Sequence, residues 1–249
     1  MWSRSRKRAE VSPKRKLGAA KLLLMVRDQA VSAAVEDYAK AIYELEMREG
    51  RAQTNALAER IGVTAPSASS MVKRLAEMGL VSYSRYRGAR LTEKGRRLAL
   101  EVIRHHRLLE LFLVEELGMS WDQVHAEAEA LEHVLSEQVE ERIAARLGEP
   151  VVDPHGDPIP TVTLEIEEPE TRSLQSLEPG ERAVFTRVSD SDPAMLRFLA
   201  ERGIAPGDRL EVVDKQPFDG PLFVRFSGEV EVLGGDLARA MRVQLDRQA

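Results

Sequence analysis

The hydrophobic period of the chain changes once, and that change limits what it can fold into. Over residues 35–148 apolar side chains recur every three or four positions, the spacing of amphipathic helices. Beyond about residue 180 they alternate, the spacing of strands with one buried face. Six of the twelve prolines lie between Pro150 and Pro179, so the change occurs across a linker or an irregular packed segment. A chain of 249 residues can bury the cores of two ordinary domains. The pattern predicts a mainly α N-terminal half followed by a small SH3-like β-barrel.

Within the helical half, a first helix is expected over residues 35–49, where Tyr38, Ala39, Ile42 and Leu45 share one face and Gly50 stops it. A second helix, TNALAERI, ends at Gly62. Thr64 can cap a third helix with Pro66 in its first turn, running to Gly79. LVSYSRYRGARLT then alternates about an Arg-Gly tip, as a short hairpin does. Thr92 is placed to cap a long helix to about Leu117, and Ser120 to open the next one, with Val124, Ala128, Leu131, Leu135 and Val139 as its apolar seam. In the C-terminal half ERAVFTRV, DRLEVVDK, LFVRFS and EVEVL read as strands and DPAMLRFLAERG as a helix. The expected boundaries are a basic, disordered extension over 1–30, a winged helix-turn-helix over 31–95, a helical metal-binding and dimerisation domain over 96–160, a linker over 161–178 and the barrel over 179–249.

The chain has no cysteine, which excludes disulfides, thiolate metal sites and a cysteine nucleophile, and leaves any metal to oxygen and nitrogen. The net charge of −5 hides an uneven distribution: residues 1–27 hold nine Lys or Arg and one Glu. The apolar run after SPKRK is too short and too interrupted for a signal peptide, and no segment is long enough to span a membrane. A cytoplasmic location is expected.

The second and third helices with the tight Gly62–Thr64 turn have helix-turn-helix spacing, and the hairpin makes the unit winged. Residues 31–100 hold twelve Lys or Arg against eight Asp or Glu, a local excess that suits a phosphate-facing surface. Thr64, Pro66, Ser67, Ser70 and Lys73 are the candidate DNA contacts on the recognition helix. Arg85, Arg87 and Arg90 are those on the wing. Winged helices also serve as protein-binding modules, and spacing alone leaves that open.

The stretch VHAEAEALEHVL brings His125, Glu129, Glu132 and His133 onto one stripe, since at 100° per residue they span only about 100° of a helix. His106 and Glu110, four apart on the long helix, make a second pair that His125 can join if the two helices pack antiparallel. A solvated acidic face with incidental histidines is the plain alternative. His155, between prolines and a glycine in DPHGDP, reads as a turn residue.

Together EDYAKAIYELE, ALAERIGVTAPSASSMVKRLAEMGLV, YRGARLTEKG, RHHRLLELFLVEELG, VHAEAEALEHVLSEQVEERI and DPHGDPIP resemble the diphtheria toxin repressor family of metal-dependent regulators, over about residues 33–160, and the barrel resembles that family's SH3-like third domain. The resemblance implies a main site of Asp37, Glu129, Glu132 and His133. It implies an ancillary site of His106, Glu110 and His125, with Asp192 from the barrel; the second barrel ligand would fall on Met195, which suits Mn²⁺ poorly. Iron-type members would have methionine at position 37 and cysteine at 129. Two carboxylates there suit Mn²⁺ and point to the manganese transport regulator branch. Lys40 stands where shorter manganese regulators hold a closely spaced second metal with a carboxylate, which favours the ancillary arrangement.

The resemblance thus implies a homodimeric repressor that binds double-stranded operator DNA. It would carry about two Mn²⁺ per subunit, with Fe²⁺ and an iron-dependent repressor of the same family as the alternative. No catalysis, small-molecule substrate or membrane partner is expected. A dimetal enzyme is the rival from another class, and the chain lacks the Glu-x-x-His and H-E-x-x-H spacings such centres use. A winged-helix sensor of an organic ligand would leave the ligand stripe unexplained.

Overall fold

A computed structural model describes residues 31–84 and 88–246. The expected N-terminal extension over 1–30, and the wing-tip candidates Arg85 and Arg87, lie outside the described residues. The chain divides into two compact units, Met1–Thr92 and Glu93–Ala249. Among the described residues no helix is long and apolar enough to cross a membrane.

The first unit is a three-helix winged module of α1 (Ala33–Glu49), α2 (Thr54–Ile61), α3 (Ala65–Glu77), β1 (Val81–Ser84) and β2 (Gly88–Leu91). Its core is the apolar stripe read from the sequence: Tyr38, Ala39, Ile42 and Leu45 of α1 against Leu57, Ala68, Val72 and Leu75. Left-handed Gly50 (φ 76°) and Gly62 (φ 74°) end the first two helices, and the Thr64 hydroxyl caps α3 by accepting from the Ser67 amide at 3.4 Å. The hairpin pairs Val81 with Leu91 and Ser84 with Gly88. Its base is tied to α1, because Glu46 accepts from the Leu91 amide at 2.9 Å.

The second unit begins with α4 (Glu93–Glu115), α5 (Val124–Leu131) and α6 (Glu137–Arg146). The apolar seam expected to run from Val124 to Val139 is broken. Regular helix stops at Leu131, the chain turns, and a new helix starts after Ser136. Val124, Ala128 and Leu135 are buried as expected, whereas Leu131, at the end of α5, and Val139, beyond the turn, are exposed. The proline-rich stretch that follows is packed. Arg104 donates to the Pro160 carbonyl at 2.6 Å, and Arg107 donates to that of Pro158.

The C-terminal portion is a six-stranded antiparallel sheet in the order β3-β8-β4-β5-β6-β7, with β3 (Arg172–Ser173), β4 (Arg182–Val188), β5 (Arg209–Lys215), β6 (Leu222–Phe226), β7 (Glu229–Leu233) and β8 (Met241–Leu245). Helix α7 (Pro193–Glu201) follows β4, and a short α8 (Gly235–Ala240) precedes β8. The expected barrel is not closed: β3 and β7 are the two edges of an open sheet. Two strands escaped the sequence reading. β3 is only two residues long, and β8, MRVQL, alternates too briefly to stand out after the apolar residues of α8.

The sheet is docked on the helical part through the turn at residues 153–157. The Val188 amide donates to the His155 carbonyl at 3.0 Å, next to a bulge between Phe185 and Arg187. The Trp121 indole donates to the Leu196 carbonyl at 3.2 Å. Gly156 makes the closest approach: a Cβ there would sit 2.0 Å from the Thr186 carbonyl oxygen, and its φ is +87°. Gly156→Ala therefore meets both a steric and a conformational penalty, and is expected to lower stability by about 2–3 kcal/mol in denaturant titrations. A midpoint equal to wild type would show that this docking is slack.

Candidate metal centre

Titratable side chains gather in the second unit around a carboxylate that is almost wholly enclosed. Glu110, on the inward face of α4, is 1% exposed. One turn earlier on the same helix, His106 directs Nε2 at Glu110 Oε1 (3.0 Å), and from α5 His125 brings Nδ1 to the same oxygen at 3.3 Å. Asp190, just past the end of β4, reaches His125 Nδ1 at 2.9 Å. Ligand atoms of His106, Glu110, His125 and Asp190 all lie within 4.8 Å of one another.

Electrostatics bind this group together. Burial pushes Glu110 up, but the imidazoles of His106, His125 and His155 outweigh it and hold the carboxyl well below its ordinary range. Hydrogen bonds to Asp190 and Glu110 raise His125 to about 10. Asp190, despite burial, is lowered to about 2 by His125. The cluster is thus a charged network of carboxylates and imidazoles.

The sheet residue that joins the cluster is Asp190, and Asp192, where the barrel ligand was expected, is not part of it. Asp192 accepts from the Ala194 amide at 2.9 Å as the N-cap of α7, and Met195 packs on the core of the sheet. The sequence held the signal: Asp before Pro at a helix start is capping chemistry, which leaves the other aspartate of VSDSDP to point elsewhere.

His155 was also underread. It does sit in a turn, but its ring is fully buried, stacked on Trp121 at 5.7 Å between centroids, with Nε2 at 2.8 Å from the Trp121 carbonyl. Nδ1 has no hydrogen-bond partner and lies 3.6 Å from Glu110 Oε2. Burial lowers its pKa and Glu110 raises it more, to about 9. Asp153, raised to about 8 by burial, joins Glu110 and His155 in a further group with metal-ligand spacing. Nothing in the local periodicity marked either residue, because both are placed by a turn.

The stripe itself is partly assembled. Glu132, fully buried at its side chain, meets His106 Nδ1 at 2.5 Å, and His133 Nε2 lies 3.7 Å from Glu132 Oε1. Glu129, 44% exposed at its side chain, lies 4.0 Å from His106 and 3.8 Å from His125, between the two groups. Asp37, half-buried on α1, belongs to the other unit. On that unit Thr64, Pro66, Ser67, Ser70, Lys73 and Arg90 line the side of α3 and the wing away from the buried Ala68, Val72 and Leu75.

These residues fit a divalent cation. Oxygen and imidazole donors converge from separate segments, and an orphaned buried ring nitrogen, His155 Nδ1, faces a buried carboxylate.

Comparison with known proteins identifies the domains. Residues 30–89 match the iron dependent repressor N-terminal DNA binding domain, 92–161 the iron dependent repressor metal binding and dimerisation domain, and 172–245 the FeoA domain. The chain is 35% identical over 222 residues to the iron-dependent repressor IdeR of Mycobacterium tuberculosis, covering 84% of this chain and 96% of that protein. It is 32% identical over 220 residues to the diphtheria toxin repressor of Corynebacterium diphtheriae, covering 84% of this chain and 96% of the relative. Among solved structures, a manganese-dependent transcriptional repressor in complex with manganese superimposes with a TM-score of 0.78 at 43% identity, over 85% of this chain and all of that one. The manganese regulator SloR gives 0.69 at 32% identity, over 85% of this chain and 98% of its own. With a winged DNA-binding module, a helical metal-binding and dimerisation domain and a C-terminal sheet in that order, the chain belongs to the iron-dependent repressor family of metal-dependent transcriptional repressors, the family of the diphtheria toxin repressor.

Proposed function

We propose that this chain is a manganese-dependent repressor of metal-homeostasis genes that binds operator DNA as a homodimer in the cytoplasm. One observation carries the choice of metal: every ligand candidate is a carboxylate or an imidazole, and Glu129 beside Glu132 and His133 makes the main site oxygen-rich. Hard oxygen donors suit Mn²⁺ better than sulfur-containing sets do. The structural relatives described as manganese-dependent support this reading. The sequence relatives described as iron-dependent favour the second reading, an iron-dependent repressor with the same architecture.

In the main site we assign Asp37, Glu129, Glu132 and His133. In the second site we assign His106, Glu110, His125 and Asp190, for about two ions per subunit. A bound divalent cation would supply a bond shared by Asp37 in the DNA-binding unit and the three ligands of the helical unit. The chain's own residues do the rest. Asp37 lies at the start of α1 and Glu46, near its end, holds the wing at Leu91, so α1 joins the ligand to the DNA-contacting hairpin. Thr64, Pro66, Ser67, Ser70 and Lys73 present the outer face of α3 to the major groove, and Arg85, Arg87 and Arg90 of the wing reach phosphates. Leu131, Val134 and Val139 of the helical domain are exposed apolar residues that a dimer interface would cover. A ligand shifts an equilibrium only by its differential affinity for the two states, so the DNA-competent arrangement must offer the better ligand geometry. No turnover chemistry is assigned.

Mn²⁺ is expected to raise affinity for a duplex selected from a random pool by about tenfold or more, ~1.4 kcal/mol, in a gel-shift titration; equal binding with Mn²⁺ and with a chelator would refute the reading. Asp37→Ala and Glu132→Ala are each expected to abolish that response while leaving the metal-free thermal midpoint within a few degrees. Asp190→Ala is expected to cost the second Mn²⁺ in a binding isotherm. Asp192→Ala should keep both ions and lose only a helix cap, about 1 kcal/mol. The reverse pattern would return the ligand role to Asp192.

A further inference from the structure

Glu132 and His133 stand where a helix gives out. The Glu132 amide still bonds back to the Ala128 carbonyl at 2.9 Å, but regular α5 ends at Leu131 and the chain turns before α6. Backbone at such an end is the least constrained part of a helix, since its carbonyls have lost their partners one turn on. It is a poor platform for metal ligands, which must be held within about 0.5 Å of their working geometry.

A buried relay closes on that backbone. His105 Nδ1 lies 3.1 Å from the Glu132 carbonyl oxygen, and its Nε2 lies 3.0 Å from Glu140 Oε2 on α6. A carbonyl and a carboxylate only accept, so the ring donates at both nitrogens. The other carboxylate oxygen of Glu140 accepts from Arg104 Nε at 2.5 Å, and the same guanidinium donates to the Pro160 carbonyl at 2.6 Å. The His105 side chain is 3% exposed, that of Arg104 6% and that of Glu140 12%. Consecutive residues of α4 thus grip one carboxylate of α6, and one of them passes the grip to the main chain between two ligands.

Stability alone is a weak account of the relay. Buried ion pairs recover little more than their desolvation cost, and apolar residues of similar volume often serve the fold as well or better. What an apolar replacement could not do is hold the Glu132 carbonyl in a fixed direction. We propose that His105 and Glu140 are positioning residues of the metal centre: His105, oriented by Glu140, fixes the Glu132 carbonyl and so the direction from which Glu132 and His133 present their ligand atoms. The inference rests on the reading that these two residues hold metal. Hydrogen-bonded partners behind ligands typically change metal affinity by about tenfold to a hundredfold when removed.

The two sites provide an internal control. Mn²⁺ binding is measured on the full chain in a His125→Ala background, which isolates the main site, and in a Glu129→Ala background, which isolates the second. Glu140→Gln, which keeps shape, and His105→Ala are expected to weaken main-site binding about tenfold or more. Second-site binding should stay within about threefold in both variants, which separates a loss of positioning at the main site from a general loss of stability. His105→Asn keeps a donor near the position of Nδ1 and is expected to recover most of the main-site affinity lost in His105→Ala. Equal weakening at both sites, no weakening at the main site, or no rescue by Asn would each overturn the proposal. If His105→Ala fails to fold, Glu140→Gln and His105→Asn carry the test against their parents. Absence of Mn²⁺ binding in the His125→Ala parent would instead refute the main site itself, and this inference with it.

Discussion

The second unit depends on burying the Glu110 carboxylate. A lone carboxylate at 1% exposure would be prohibitive, since the cost of stripping its water is recovered only by charge and hydrogen bonds from nearby groups. Those groups come from different parts of the chain: His106 from α4 itself, His125 from α5, and His155 from the turn that docks the sheet. Asp190, at the end of β4, then balances His125. One buried charge therefore ties helical bundle to sheet, and the same convergence produces donor spacing suited to a metal ion. Fold and candidate site are here a single electrostatic problem.

Much of this was legible because the relevant patterns are local. The cap at Thr64, the glycine stops at 50 and 62 and the hairpin at 81–91 each depend on residues a few positions apart, and the structure carries all of them. The i to i+4 pair of His106 and Glu110 is equally local. What failed was non-local. The seam from Val124 to Val139 satisfied a helical period, yet the helix breaks at 132–136, where Glu132 turns onto His106 and Ser136 starts α6. Closure of the sheet could not be read from strand count. Asp190 could be separated from Asp192 only by weighing a capping signature against the position that the family resemblance implied.

His106 ties the two sets of donors to each other. Its Nδ1 contacts Glu132 at 2.5 Å, while its Nε2 contacts Glu110 at 3.0 Å and faces His125 at 3.2 Å. One imidazole thus has a nitrogen in contact with each group. Glu129, within 4.0 Å of both His106 and His125, adds a carboxylate at the seam.

The most misleading run in the sequence is Arg104-His105-His106-Arg107. Four successive basic or titratable residues in a helix ordinarily mark a solvated face, yet a helix shows its successive residues on different sides, about 100° apart. In α4 every one of those sides is covered. Arg104 and His105 are turned to Glu140, His106 to Glu110 and Glu132, and Arg107 to Asp153, Asp157 and the Pro158 carbonyl. Each residue thus has an acidic partner, Arg104 and His105 sharing the one on α6 and the others met by α4 and the end of α5 or by the proline-rich turn. A polar helix buried all round is tolerable only when each of its charges is answered in this way. That requirement explains why so acidic a set of neighbours surrounds α4, and why that set already has the composition of a cation site.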